Sequence, residues 1–187
     1  MKYLITGLGN PGEHYEFTRH NIGFEILDAL AKASDVSFRD KRYGFITDFK
    51  YKARTLYLLK PSTCVNLSGR AVNYYANKLK IPEENLLVVL DDIALPYGKL
   101  RLRPRGGDAG HNGMHHIIQM LGTQKFPRLR FGIGNDFYSG QQADYVLSRW
   151  SDEEADKLPE RIDLACKIIK SFVSIGVNHT MNEYNNR

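Results

Sequence analysis

The sequence predicts an α/β fold: one twisted, mixed but mostly parallel central sheet with helices on both faces. Three observations point to it. Short continuous apolar runs, Leu86–Leu90 the longest aliphatic one, suit strands covered on both sides. Stretches of strand character alternate with stretches of helical periodicity. The 187 residues suit one domain, residues 1–187, able to bury on the order of 70% of its unfolded surface without disulfides.

The elements follow in order. Met1–Leu8 is an apolar run ending in a glycine loop, hence a strand and then a turn. Ile22, Ile26, Ala29, Leu30 and Ala33 share one helical face. Tyr43–Phe49 and Thr55–Leu59 are β-branched and aromatic, as strands are. Ser62–Ile81 carries Val65, Val72, Tyr75 and Leu79 at helical spacing, with Ser68-Gly69 as a weak middle. Leu86–Leu90 runs into Asp91-Asp92 and reads as a buried parallel strand. Lys99–Arg103 and Arg128–Ile133 alternate in polarity as strands do, and Asn112–Leu121 is a helix with Asn112 near its N-cap. Ser151-Asp-Glu-Glu154 is a capping box, and its helix should kink or restart at Pro159 and run to about Ser174.

Charge narrows the function. The net charge is +5, and between Lys99 and Arg130 seven basic residues face one acid, Asp108, giving 7 − 1 = +6. Concentrated positive charge attracts polyanions, nucleic acid above all. A solvated basic face is the alternative. Lys99, Arg101 and Arg103 share one strand face, and Arg128 and Arg130 repeat the pattern, so adjacent strands would merge four arginines into one phosphate-matching patch. No apolar run approaches the roughly 20 residues of a membrane helix. The first residues lack the apolar stretch of a secretory signal. The well-separated Cys64 and Cys166 suggest a reduced, cytoplasmic chain.

Candidate chemistry concentrates where parallel strands end, after Leu8 and after Leu90. Gly7-Leu-Gly-Asn-Pro-Gly12 matches a dinucleotide fingerprint, but the residues after Gly12 are bulky and polar and no helix starts there to meet a pyrophosphate. His111 and His115 are four apart, yet neither they nor the cysteines form a metal-ligand pattern. His20 precedes the first helix and Asp91 ends the central strand, so both can reach one rim. A carboxylate held against imidazole fixes the tautomer that activates water. A polar turn residue and a cap are their structural alternatives. Asn10, Asn21, Asn66 and Asn112 stand in loops or at helix starts, where an uncharged amide can cap a helix, hold a water or bind a peptide backbone. Gly106–Gly113 holds four glycines and permits close backbone approach to a ligand.

Five ordered blocks then carry a resemblance. They are Gly7–Gly12 with Tyr15 and Thr18-Arg-His-Asn-Ile-Gly23; Lys60-Pro-Ser-Thr-Cys-Val-Asn-Leu-Ser-Gly69; Asp91-Asp-Ile-Ala-Leu-Pro-Tyr-Gly98; Gly106–Gly113; and Arg128-Leu-Arg-Phe-Gly-Ile-Gly134. Together the chain resembles bacterial-type peptidyl-tRNA hydrolase. The resemblance implies hydrolysis of the ester joining a peptide to the 3′ ribose of tRNA. It implies His20 as general base, Asp91 as its support, and Asn10 favouring peptidyl over aminoacyl ends. Asn66, Asn112 and His111 would bind substrate, Tyr15 and Cys64 would line the site for the tRNA end, and Arg101, Arg103 and Arg130 would meet tRNA phosphate. The expected partner is peptidyl-tRNA, bound by a cytoplasmic monomer with no cofactor, metal or membrane. Cys64 and Val65 stand where the family usually has an aromatic and a methionine, Ala94 replaces a usual aspartate and Ala109 a usual glycine. The charge stripe alone would equally suit a non-catalytic RNA-binding module.

Overall fold

The computed structural model describes all residues, Met1–Arg187. Its strands are β1 (Lys2–Gly7), β2 (Arg39–Lys41), β3 (Gly44–Tyr51), β4 (Arg54–Pro61), β5 (Leu86–Asp92), β6 (Leu100–Arg103) and β7 (Arg128–Gly132). Its helices are α1 (Ile22–Ala33), α2 (Ser68–Leu79), α3 (Asn112–Leu121), α4 (Gln142–Val146), α5 (Asp152–Ile175) and α6 (Val177–Tyr184). The strands form one sheet in the order β2-β3-β4-β1-β5-β7-β6. The inner four, β4, β1, β5 and β7, run parallel, and β3 and β6 flank them antiparallel. The α/β class with a mixed, mostly parallel sheet is therefore as expected.

Alternation along each strand feeds two cores, because successive side chains leave opposite faces. Ile5, Leu58, Leu87, Val89, Leu129 and Phe131 join α1 and α5 on one face. Leu4, Leu59, Leu86, Val88 and Leu90 join α2 and α3 on the other. The chain leaves β1 toward α1 on the first face and leaves the adjacent β4 toward α2 on the second. Such divergence opens a crevice at the C-terminal ends of the strands. No helix is long and apolar enough to cross a membrane.

The glycine loop serves packing. A Cβ on Gly7 would lie 2.3 Å from the Gly23 carbonyl oxygen, and one on Gly23 2.4 Å from the Leu8 nitrogen. The two glycines let α1 rest directly on the end of β1. A 3-10 turn at Glu13–Tyr15 follows Gly12, where a dinucleotide fold would start its helix.

Several expectations need correction. The Ser62–Ile81 helix starts only at Ser68, after a 3-10 turn at Val65–Leu67. Gly69 is thus near its beginning, where a side chain would meet the His116 carbonyl oxygen of α3 at 2.5 Å. His111, not Asn112, caps α3 with its own ring. Asn21 stands at the N-cap position of α1 but makes no capping bond there: its side chain bonds the backbone of Asn10. The Ser151 capping box is present, but α5 continues through Pro159 to Ile175 without restarting. The short elements β2, α4 and α6 carried too little periodicity to be anticipated.

Candidate active site

Asp91, at the end of β5, is buried, 4% exposed, and bridges two histidines. Its Oδ2 lies 2.8 Å from His20 Nδ1 and its Oδ1 lies 2.9 Å from His111 Nε2. The two imidazoles stand 4.8 Å apart, centre to centre. The tautomers follow from the partners. His111 Nδ1 accepts the backbone N–H groups of Gly113 and Met114, at 3.1 and 3.3 Å, so its proton must be on Nε2, facing Asp91. An ionised carboxylate only accepts, so His20 also donates, from Nδ1. That leaves the lone pair of His20 Nε2 without a partner in the chain.

The electrostatics agree. Burial alone would raise the Asp91 carboxyl, but the charges of His111 and His20, and then their hydrogen bonds, hold it well below the usual carboxylate range. Burial alone would lower His20, yet the charge and hydrogen bond of Asp91 prevail and place it above its ordinary 6.5. His20, Asp91 and His111 also lie close enough to be considered as a metal cluster. However, the two histidine nitrogens nearest Asp91 point their protons at it, and the second nitrogen of His111 caps α3. The donors are directed at one another rather than at a shared centre.

A cavity of about 510 Å³ opens over this pair. His20, Asp91, His111, Asn10, Tyr15, Cys64, Asn66 and Asn112 all line it. They come from the loops after β1, β4 and β5 and from the start of α3, brought together by the parallel order β4-β1-β5. Asn10 is 9% exposed; its Oδ1 accepts from Val65 N–H at 2.8 Å and leaves its Nδ2 unpaired. Asn21 locks the same loop by bonding both backbone groups of Asn10, each at 2.9 Å. Asn66 and Asn112 are exposed, and their carboxamides form no hydrogen bond within the chain. Cys64 is exposed, a small thiol in the cavity wall.

Other site features lacked a signal in the sequence. Gln142, Ala143, Val146 and Leu147, of α4 and its end, close one side of the cavity. Arg19 draws that segment in: its Nη1 lies 2.7 Å from Glu154 Oε2 and its Nε donates to Ser148 Oγ at 3.1 Å. Its guanidinium also stacks on Tyr145 and Trp150, 4.5 and 5.3 Å from the ring centres. Arg19 is 7% exposed and so fastens the turn that carries His20.

The arginine stripe divides in two. β6 and β7 do pair, with Arg101 opposite Arg130 and Arg103 opposite Arg128. Arg128, however, is 3% exposed and donates to the carbonyls of Gly106, Gly107, Gln124 and Phe126. The four-arginine surface patch is therefore three arginines plus one buried brace for the glycine loop. Arg130 donates from Nε to Asp92 at 2.5 Å, while Arg101 and Arg103 pair with no acid. The His115 ring binds the Asp108 carboxylate at 2.9 Å and so makes no pair with the His111 ring.

Comparison with known proteins identifies the family. A family model described as Peptidyl-tRNA hydrolase covers residues 4–187. The peptidyl-tRNA hydrolase of Phocaeicola vulgatus is 59% identical over 187 residues, 100% of both chains. That of Caldanaerobacter subterraneus is 42% identical over 184 residues, 98% of this chain and 99% of the relative. The crystal structure of peptidyl-tRNA hydrolase from Acinetobacter baumannii superposes with a TM-score of 0.92 at 32% identity, covering 98% of this chain and 94% of that one. By sequence along its whole length and by fold, the chain belongs to the peptidyl-tRNA hydrolase family.

Proposed function

We propose that this hydrolase cleaves the ester between a peptide, or an N-blocked amino acid, and the 3′ ribose of tRNA, releasing the tRNA for reuse in translation. The observation that carries the reading is the hydrogen-bonded His20–Asp91–His111 chain facing a cavity edged with unpaired carboxamides, in a member of this family. His20 Nε2 takes a proton from water as the water attacks the ester carbonyl. Asp91 keeps the imidazole in the accepting tautomer and stabilises the imidazolium that forms. The proton then passes to the departing ribose oxygen. An ester has a good leaving group, so no covalent intermediate or metal is required by this scheme.

Asn10 Nδ2 is suited to donate to the carbonyl of the amide beside the ester, a group that a free aminoacyl end lacks. Asn66 and Asn112 each offer donors and an acceptor, as a peptide backbone requires. An aminoacyl end carries a free amine in place of that amide, which supports discrimination against it. Tyr15 and Cys64 form the wall for the terminal nucleoside, with Cys64 providing room and no stacking. Arg101, Arg103 and Arg130 meet phosphate along the acceptor arm. The protein acts as a cytoplasmic monomer, without cofactor or metal.

Single-turnover release of an N-blocked amino acid from its tRNA, in chelator and beside the unblocked aminoacyl-tRNA, tests this. Fast cleavage of the blocked ester alone is expected. No cleavage with tRNA still bound would overturn it and leave a non-catalytic RNA-binding module.

A further inference from the structure

The outer edge of β6 is covered by the chain's own C-terminus. Asn185, just after α6, bonds both backbone groups of Leu102: its Oδ1 accepts the N–H at 2.9 Å and its Nδ2 donates to the carbonyl at 3.1 Å. One carboxamide thus stands in for a neighbouring strand, at the residue between Arg101 and Arg103. Lys99 adds a bond from Nζ to the Arg187 carbonyl at 3.1 Å.

A pocket of about 330 Å³ lies between β6 and α6, lined by Arg101, Arg103, Met181, Asn182, Asn185 and Asn186. Its positive charge is not neutralised. No carboxylate pairs with Arg101 or Arg103, and the Nε of Arg101 is buried with no hydrogen-bond partner. Burial, and then the like charges of Arg101 and Arg130, disfavour the charged form of Arg103. A buried orphan donor beside crowded cations is the state a bound anion would relieve.

We propose that Asn185 is a positioning residue for tRNA: by clamping Leu102 it holds Arg101 and Arg103 over this pocket for a backbone phosphate. Edge strands fray, and a frayed β6 would make two long side chains adopt their binding geometry at an entropic cost. The inference rests on the proposed tRNA substrate. Asn182 and Asn186 form the pocket's polar far wall and can donate to the same phosphate.

Steady-state kinetics on N-blocked aminoacyl-tRNA over a salt series test the proposal. Asn185→Ala should raise KM about three- to tenfold, the range of one lost hydrogen-bonded contact. kcat should stay within about twofold, and the salt dependence of kcat/KM should flatten by up to about one phosphate contact. An N-blocked aminoacyl ester of adenosine, which has no tRNA body, should be cleaved equally by both proteins. Asn185→Asp keeps the acceptor for Leu102 N–H but puts a carboxylate beside the arginines, so its KM should rise further. If the alanine variant unfolds, Asn185→Ser, which withdraws the clamp without adding charge, takes its place with the same expected rise in KM. Unchanged KM and salt slope in folded variants would overturn the proposal and leave Asn185 only a cover for the sheet edge. If the wild type cleaves neither substrate, the hydrolase assignment fails instead. Direct titration of tRNA binding against salt then reads the Asn185 effect on its own.

Discussion

Replacing Asp91 by Asn removes one charge and almost no volume, so it isolates what the carboxylate does. Asp91 accepts two imidazole protons, at 2.8 Å from His20 and 2.9 Å from His111. An amide has one oxygen to accept and one NH2 to donate, so it can satisfy only one histidine as it now stands. His111 decides which. Its Nδ1 already accepts two backbone N–H groups, so turning it over would set an N–H against two donors inside the protein. The amide oxygen therefore faces His111 and the amide nitrogen faces His20. His20 must then accept at Nδ1 and carry its proton on Nε2, where it cannot receive one from water. General-base catalysis contributes about 10²–10⁴, so kcat should fall by that factor, about 3–5 kcal/mol of barrier. The pH profile gives a second reading. As the proposed general base, His20 acts only when neutral, so the wild-type rate should fall as pH drops through a pKa above 6.5. Without the Asp91 charge the effect of burial prevails, and that acid limb should move to lower pH in Asp91→Asn. Single-turnover cleavage between pH 5 and 9, with circular dichroism as a control for folding, measures both. A folded variant with kcat within about threefold of wild type, or an acid limb that stays in place, would refute the tautomer argument.

Three further substitutions probe separate parts of the design. Asn10→Ala deletes Nδ2 and strands the Val65 N–H, while Asn21 still holds the Asn10 backbone; the preference for blocked over unblocked aminoacyl-tRNA should shrink by about tenfold or more, and an unchanged ratio in parallel turnover assays would remove Asn10 from discrimination. Arg128→Ala leaves the carbonyls of Gly106, Gly107 and Phe126 without their donor, while Gln124 keeps the Gly106 N–H. Urea unfolding should show a loss of about 2–4 kcal/mol, and a tRNA salt slope equal to wild type would separate this brace from the half-buried arginines of the stripe. Gly7→Ala forces a methyl to within 2.3 Å of the Gly23 carbonyl. A cost of about 1–3 kcal/mol is expected, and thermal unfolding indistinguishable from wild type would show that α1 can slide off β1 freely.

Much of the site was legible because its residues sit at strand ends and helix starts. Asp91 follows an apolar run and His20 precedes the helical stripe that begins at Ile22, so the rule that parallel strands present their C-terminal loops to ligands placed both at one rim. The ordered blocks of resemblance added Tyr15 and gave Cys64, Asn66, Asn112 and His111 a place at the same site, and all five line one cavity. Residues acting through distant partners left no such trace. Arg19 looks like one more cation, yet its partners Ser148 and Glu154 are 129 and 135 positions away. Arg128 and Arg130 have the same local pattern, and only the third dimension buries one and opens the other.

Local chemistry by itself therefore determined the succession of elements, the alternation that builds two cores around one sheet, the concentration of positive charge and the residue types of the proposed histidine–aspartate pair. These depend on neighbours within a few positions, which a sequence records directly. The tertiary structure decided which proton each histidine carries, that the Gly7 loop packs against α1, that His111 and not Asn112 caps α3, and that Asn185 closes the edge of β6. Each of those depends on hydrogen-bond partners brought together from remote parts of the chain, and a donor's role is set by what it meets rather than by what flanks it.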